Sequence, residues 1–400
     1  MRAISRPLDP NRPTGLEDVS GSDGYLFVRD GVGFAGRGVA LRIDADDAVA
    51  ALARIPHESD SPHAPGPVAV GCIPFEPGAA STLTVPARLV GRDRDGRMWE
   101  TVVGDDPRFG EPGHGTTLPT APRPSVNTFT VRPVTPVETY LAAVRAARDS
   151  VRSGRLTKAV IAREIAVEAT NPIDVHAVIH RLRASFGSSH RYSIDGFVGA
   201  SPELLVAVEG DVIRSHPLAG TIARTGDPET DEALAAQLVA SMKNQIEHRV
   251  VIDSIHEALL PYCSYLDWEP EPSVVKVANV QHLGTRMEGM LSNPRPDVIS
   301  LVRLLSPTPA LGGHPRDAAI ELIHRVEGFE RGRYGGAVGY VDARGDGVWA
   351  VAIRGAEFNG DRRVARLVAG GGIVADSDEL DELAETQAKF QAMLSAIVRP

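Results

Sequence analysis

Near the C-terminus of this chain, Glu382, Glu385 and Lys389 stand at i, i+3 and i+7, a spacing that places two carboxylates and an amine on one helix face. Paired carboxylates with water and an anionic ligand make an ordinary magnesium site, because Mg2+ prefers oxygen donors and retains several waters. A solvated face carrying a Glu385–Lys389 ion pair satisfies the same spacing. In the segment Ser241-Met242-Lys243-Asn244-Gln245-Ile246-Glu247-His248-Arg249, Lys243 and Glu247 lie four apart, again as an ion pair or as part of a site. Lys158 opens the apolar run Lys158-Ala159-Val160-Ile161-Ala162-Arg163. An amine desolvated in such a run gives up its proton more readily and can act as a base; the other reading is a strand-end lysine that snorkels to water. Glu203, in Ala200-Ser201-Pro202-Glu203-Leu204-Leu205, starts another apolar run. Burial there suits a general acid, and a strand-edge carboxylate is the alternative.

Composition sharpens the interest in the lysines. Only Lys158, Lys243, Lys276 and Lys389 occur among 42 basic residues. Arginine serves wherever a permanent charge suffices, whereas only lysine readily loses its proton, so each survivor hints at need or at chance. The 400 residues are 42% hydrophobic and 24% charged, enough for a large core. A net charge of −10 argues against a nucleic-acid partner, which needs a basic face. No apolar run approaches the ~20 residues of a membrane helix, and the N-terminus lacks a signal peptide's apolar stretch, which predicts a cytoplasmic protein. Cys72 and Cys263 are too few for a disulfide framework and have no partners at zinc-ligand spacing. No dinucleotide fingerprint, Walker A loop, H-E-x-x-H or G-x-S-x-G elbow is present; Gly370-Gly371-Gly372 follows a strand and reads as a tight turn.

Several elements position these residues. Short apolar runs at Val68–Pro74 and Ser81–Val90 read as strands, and a Pro-, Thr- and Gly-rich stretch from Asp105 to about Pro136 reads as a surface connection. Thr135-Pro136-Val137-Glu138 predicts a Thr-capped helix running to Gly154. Strands are predicted at Ala159–Val167, Tyr192–Val198 and Leu204–Ile213. A long helix follows, with Leu234, Leu238, Met242, Ile246 and Val250 four apart on its core face. A helix over Arg316–Glu327, strands at Tyr334–Asp342, Trp349–Arg354 and Val364–Ala369, and a last helix from near Ser377 to about Ile397 complete the pattern. Strands come in consecutive groups, which predicts an α+β fold of antiparallel sheets with helices outside.

Read in order, these segments resemble the chorismate-binding enzymes, which comprise isochorismate, anthranilate, aminodeoxychorismate and salicylate synthases. The matching stretches are Lys158–Arg163, Ala200–Leu204, Pro217–Thr221 with Arg224, Ser241–His248, His282–Thr285, Ser306–Gly313, Arg331–Tyr334, Gly335–Gly339, Ala352–Arg354, Ala369–Val374 and Glu382–Lys389. They span roughly residues 131–398, and Gly71–Phe75 is similar to the family's weaker N-terminal signature. The resemblance implies one large α+β domain with two packed, largely antiparallel sheets, its first 130 residues divergent. It implies a Mg2+ cofactor held by Glu247, Glu382 and Glu385. Tyr334, Arg354 and Lys389 would meet a substrate carboxylate together with backbone of Gly370, Gly371 and Gly372, while Gly220, Thr221 and His282 would line the pocket.

Lysine at position 158 resembles the water-using members of the family. The resemblance makes it the base that deprotonates the attacking water and makes Glu203 the acid that protonates the departing hydroxyl. The run Pro307-Thr308-Pro309-Ala310-Leu311-Gly312-Gly313 is similar to that of isochorismate synthases, so the implied activity is Mg2+-dependent conversion of chorismate to isochorismate. Salicylate synthesis and a non-catalytic chorismate-binding role are the alternatives. No glutaminase subunit is expected, and a monomer fits the resemblance. Two positions depart from it: Ser306, where isochorismate synthases often have His, and Asn244, where many members are acidic.

Overall fold

The computed structural model describes residues 1–9, 15–105 and 127–399. Most of the Pro-, Thr- and Gly-rich connection therefore lies outside the described residues; its end forms the strand Phe129–Pro133.

The strands assemble into one 13-stranded, one nine-stranded and one three-stranded sheet. Pairing is antiparallel throughout except between Arg2–Pro7 and His57–Ser59. The expected two large sheets are present, and Leu218–Ala223, Val280–Gly284 and Ser273–Lys276 make a small, separate third one. Strands from the N-terminal part are built into both large sheets: Tyr25–Arg29 pairs with His190–Ile194, and Val68–Ile73 pairs with Ala337–Asp342. Apolar side chains fill the space between sheets and helices, among them Leu205, Val251, Met287, Val302 and Trp349, all at most 2% exposed. No helix among the described residues is long and apolar enough to cross a membrane.

The strand Lys158–Ala169 is the backbone of the site. Ten of its twelve residues are buried, and it pairs over its length with Val364–Ile373. A buried ion pair anchors it. Arg331 donates to both Glu327 carboxylate oxygens and to the carbonyls of Val160 and Leu311, while Glu327 accepts from the Ala162 amide. Charges in such a place are tolerated only because every donor finds a partner.

Four expectations fail locally. Predicted single strands at 192–198 and 204–213 are each two, split at turns where Asp195 (φ 47°), Gly196 and Gly210 take positive φ. Thr135 caps no helix; the helix is Val137–Arg152, and the Thr135 hydroxyl instead accepts from the Glu164 amide. The long helix is two, Pro228–Ala240 and Met242–Leu259, broken at Ser241, whose hydroxyl caps the second. Its core face is also different: Met242 and Ile246 are 72% and 52% exposed, while Val251, Ile252, Ile255 and Leu259 are buried. A period of four follows both stripes equally well in sequence, and only the packing partner selects one.

Candidate active site

That rotation of the Met242–Leu259 helix turns Lys243 and Glu247 inward. Glu247 Oε1 lies 2.9 Å from Nζ of Lys158, which is 1% exposed and makes no directed hydrogen bond. Lys243 does not pair with Glu247; its Nζ donates to Glu382 Oε1 at 3.1 Å, across to the C-terminal helix Glu379–Val398. On that helix Lys389 Nζ donates to Glu385 Oε1 at 2.6 Å and to the Gly370 carbonyl at 2.7 Å. Three carboxylates thus meet three lysines, and these are three of the chain's four. Lys276, the fourth, is exposed on the small sheet.

Gly370, Gly371 and Gly372 form no turn. They lie inside the strand Val364–Ile373, opposite Ala162, Ile161 and Val160. Their use is close approach: a Cβ on Gly371 would stand 2.7 Å from Glu382 Oε2, and one on Gly372 would stand 2.3 Å from Glu247 Oε1 and 2.8 Å from Lys158 Cε. Glycine supplies this room at the cost of weakening a strand. Gly372→Ala should therefore displace the Lys158–Glu247 pair by about an ångström and lower kcat by roughly 10²-fold. Steady-state kinetics beside an unchanged far-UV circular dichroism spectrum checks this; wild-type turnover would mean the pair is not needed in its present place.

The electrostatics of the cluster follow from burial and mutual charge. Burial pushes Glu382 well up from the usual carboxylate range, and the neighbouring Glu385 charge adds to it against the pull of Lys243 and of the Ser377 hydroxyl. Its Oε2 is buried without a partner, an arrangement that costs about 1–3 kcal/mol unless something occupies it. For Glu247, burial also pushes upward, but Lys158, helped by Lys389 and Lys243, outweighs it and holds the carboxyl below its ordinary value.

Beside this cluster opens a cleft of about 720 Å³, solvent at its mouth included. Glu203, Gly220, Thr221, Glu247, His282, Tyr334, Arg354, Gly370, Gly372 and Lys389 line it. Of the residues singled out in sequence, Lys158, Lys243, Gly371, Glu382 and Glu385 do not reach its wall; Lys158 lies with Glu247 on the Gly372 side of the strand, and Glu382 and Glu385 lie on the Gly371 side. Glu203 lies between the strands Phe197–Ser201 and Leu204–Glu209 and is 3% exposed. Burial pushes its carboxyl up to about 7, although Oε1 accepts from the Leu218 amide at 3.3 Å. At neutral pH a large fraction of it keeps its proton.

Arg354 holds the cationic end. Its φ of 56° is unusual for a residue with a side chain. Nη2 lies 3.0 Å from His282 Nε2, while Nη1 is buried without a partner. On the other side of that ring, Nδ1 faces the Gly220 carbonyl at 3.2 Å and Thr221 Oγ1 at 3.1 Å. A carbonyl only accepts, so Nδ1 carries the hydrogen and Nε2 accepts from Arg354. Burial, and then the Arg354 charge, keep His282 neutral, well below its ordinary value. Burial also brings Arg354 down to about 10, which still leaves it cationic at neutral pH. Tyr334, pushed by burial to about 12, remains a phenol. The backbone at Gly220 takes φ 76°, in a bulge of the small sheet, and a Cβ there would meet Asn244 at 3.1 Å. The Asn244 departure therefore sits against the wall of the cleft. Ser306 is buried, its hydroxyl unpartnered.

Three contributors escaped the sequence reading. Ser377 donates to Glu382 Oε1 at 2.8 Å. Arg163 stacks on Phe390 and binds Thr386 Oγ1 and Gln387 Oε1, which sets the C-terminal helix against the central strand. Glu327, with Arg331, fixes that strand's backbone. A charged residue inside an apolar run, as Arg163 is, was the one available signal.

The family model described as chorismate binding enzyme matches residues 114–398. A Mycobacterium tuberculosis protein provisionally named isochorismate synthase MenF is 39% identical over 83% of this chain and 86% of its own length. The isochorismate synthase DhbC of Bacillus subtilis is 35% identical over 83% and 81%. Among solved structures, MenF of Escherichia coli, titled a menaquinone-specific isochorismate synthase, superposes with a TM-score of 0.84 over 99% of this chain and 94% of that one, at 25% identity. Sequence and fold agree, and the chain belongs to the chorismate-binding enzyme family.

Proposed function

We propose that this chain is an isochorismate synthase, which adds water to the chorismate ring and expels the ring hydroxyl. The observation that supports this most is one cleft walled by a buried, readily protonated Glu203, by Glu247 with Lys158 paired to it from outside the wall, and by the cations Arg354 and Lys389. In this reading Lys158 takes a proton from water as the oxygen bonds to the ring carbon next to the carboxylate-bearing one. The ring double bonds shift, the bond to the departing hydroxyl breaks, and Glu203 delivers the proton that lets it leave as water. One water enters and one leaves, so the reaction is an isomerisation. Arg354, through its free Nη1, Tyr334 and Lys389 orient substrate carboxylates. His282, neutral and donor-locked at Nδ1, serves as a rigid wall and holds Arg354.

Glu247, Glu382 and Glu385 are the residues that would hold Mg2+. Three carboxylates match its preference for oxygen, and the partnerless Glu382 Oε2 is an acceptor in want of a cation; their oxygens do not all lie within 4.8 Å of one another, so one ion would have to draw them in from Lys158, Lys243 and Lys389. When bound, the ion supplies positive charge for the substrate ring carboxylate. Product analysis with chorismate, with and without Mg2+ and without ammonia, tests the proposal. Isochorismate alone, formed reversibly and only with Mg2+, is expected. Salicylate with pyruvate would replace this reading by salicylate synthesis, and no consumption even with ammonia would leave a binding protein.

The Glu203 assignment adds a pH dependence. Its acid form exists below about 7, so kcat/KM should fall as pH rises through that value. Glu203→Gln should lose about 10²–10⁴-fold in rate and with it the alkaline limb. Survival of that limb in the variant would assign it to another group.

A further inference from the structure

A second group of ligating side chains lies outside the cleft. The helix Val175–Ser185 carries His176 and His180 four apart on one face. They meet Asp18, on the short helix Leu16–Ser20. His176 Nε2 and His180 Nε2 are 2.9 Å apart, and Asp18 Oδ1 is 3.3 Å from the first and 3.1 Å from the second. Among the described residues this is the one group of three or more His, Cys, Asp or Glu whose ligand atoms all lie within 4.8 Å of one another.

Proton placement does not account for the triangle. If one Nε2–H donates to the other nitrogen, the acceptor's lone pair faces a carboxylate oxygen. If both nitrogens carry hydrogen toward Asp18, two donors crowd at 2.9 Å. A cation satisfies all three atoms at once. A point about 1 Å off their plane is roughly 2.05 Å from each, the ordinary metal distance for imidazole nitrogen and carboxylate oxygen. The two rings are inclined at 64° and are not stacked, and each offers the same nitrogen. Room is made for the carboxylate: a Cβ on Gly15 would stand 2.4 Å from Asp18 Oδ2. The adjacent Glu17 turns away to Arg191 and Arg183 and leaves the histidines to Asp18.

We propose that Asp18, His176 and His180 bind a borderline divalent transition-metal ion of the Zn2+ class. Imidazole donors select such an ion over Mg2+. The ion ties the N-terminal helix to the helix Val175–Ser185. Asp18 and His180 side chains are 49% and 33% exposed, so solvent reaches the fourth coordination position, and the ion can enter. His176, at 3% exposure, is the buried anchor.

The test uses the full-length protein stripped of metal, then equilibrated with limiting Zn2+ in excess Mg2+, with metal content and melting temperature measured. One equivalent of Zn2+ is expected to be retained, with a rise in melting temperature. His180→Gln and Asp18→Asn should each weaken retention by at least about 10-fold and leave Mg2+-dependent turnover unchanged. Glu382→Gln should keep the Zn2+. The proposal is overturned if the wild-type chain retains no ion. It is equally overturned if retention survives in both half-exposed variants, or is lost in Glu382→Gln, which would place the ion among the cleft carboxylates.

Discussion

Lys158→Ala is expected to lower kcat by about 10³-fold or more, within the span of a lost general base, while chorismate still binds. The expectation rests on where the amine lies. At 1% exposure, against Glu247 and beside Gly372, it makes no contact with Arg354 or Tyr334, which would hold the substrate carboxylate. Binding by isothermal titration should therefore change little and turnover should collapse. Part of any loss could instead come from Glu247, left buried without its nearest cation. Lys158→Arg keeps a cation beside Glu247 but does not give up its proton; if Lys158 is the base, this variant stays as inactive as Lys158→Ala. Near-normal turnover in Lys158→Ala would sink the assignment, and recovery in Lys158→Arg would reduce the lysine to a counter-ion.

Glu382→Gln should raise the Mg2+ concentration needed for half-maximal activity by at least about 100-fold, the upper end of what even outer-shell changes at metal sites cost. The amide keeps the shape and one acceptor for Lys243 and Ser377, so the fold should survive. It removes the negative charge and replaces the unpartnered Oε2 by an oxygen or a nitrogen that carries none. Mg2+ titration of turnover, with melting temperature as the control for folding, reads the effect. An unchanged titration would move the metal away from Glu382. A matching shift in Glu385→Gln, whose carboxylate now rests on Lys389, is expected if the two share one ion.

Much of this molecule was readable along the chain. Apolar runs bounded by Gly, Pro and Asp located the strands 68–73, 337–342 and 364–373 within a few residues, since a strand's register of side chains is local. The last helix was marked by the acidic residues of its first turn, and it starts at Glu379, capped by Asp378. Ordered motifs carried the resemblance, and the scarcity of lysine pointed to positions 158, 243 and 389, and equally to Lys276, which lies exposed on the small sheet.

Other features depended on what packs against what. Whether Met242 or Glu247 faces inward is a rotation about one helix axis, and no propensity distinguishes the two. Tertiary packing buried Ile252 and Ile255, left Met242 and Ile246 in water, and so swung Lys243 to Glu382, a partner 139 residues away. Gly370–Gly372 looked like a turn because three glycines weaken any strand locally. Ten paired positions on Lys158–Ala169 hold it extended, and the missing Cβ atoms admit the carboxylates. The His282 tautomer, the raised Glu203 carboxyl and the Asp18–His176–His180 triangle likewise exist only through distant neighbours. Residue type and local period are properties of the sequence and set the elements and the chemistry available. Burial and charge proximity are properties of the assembled sheets, and they decided which of those groups became a site.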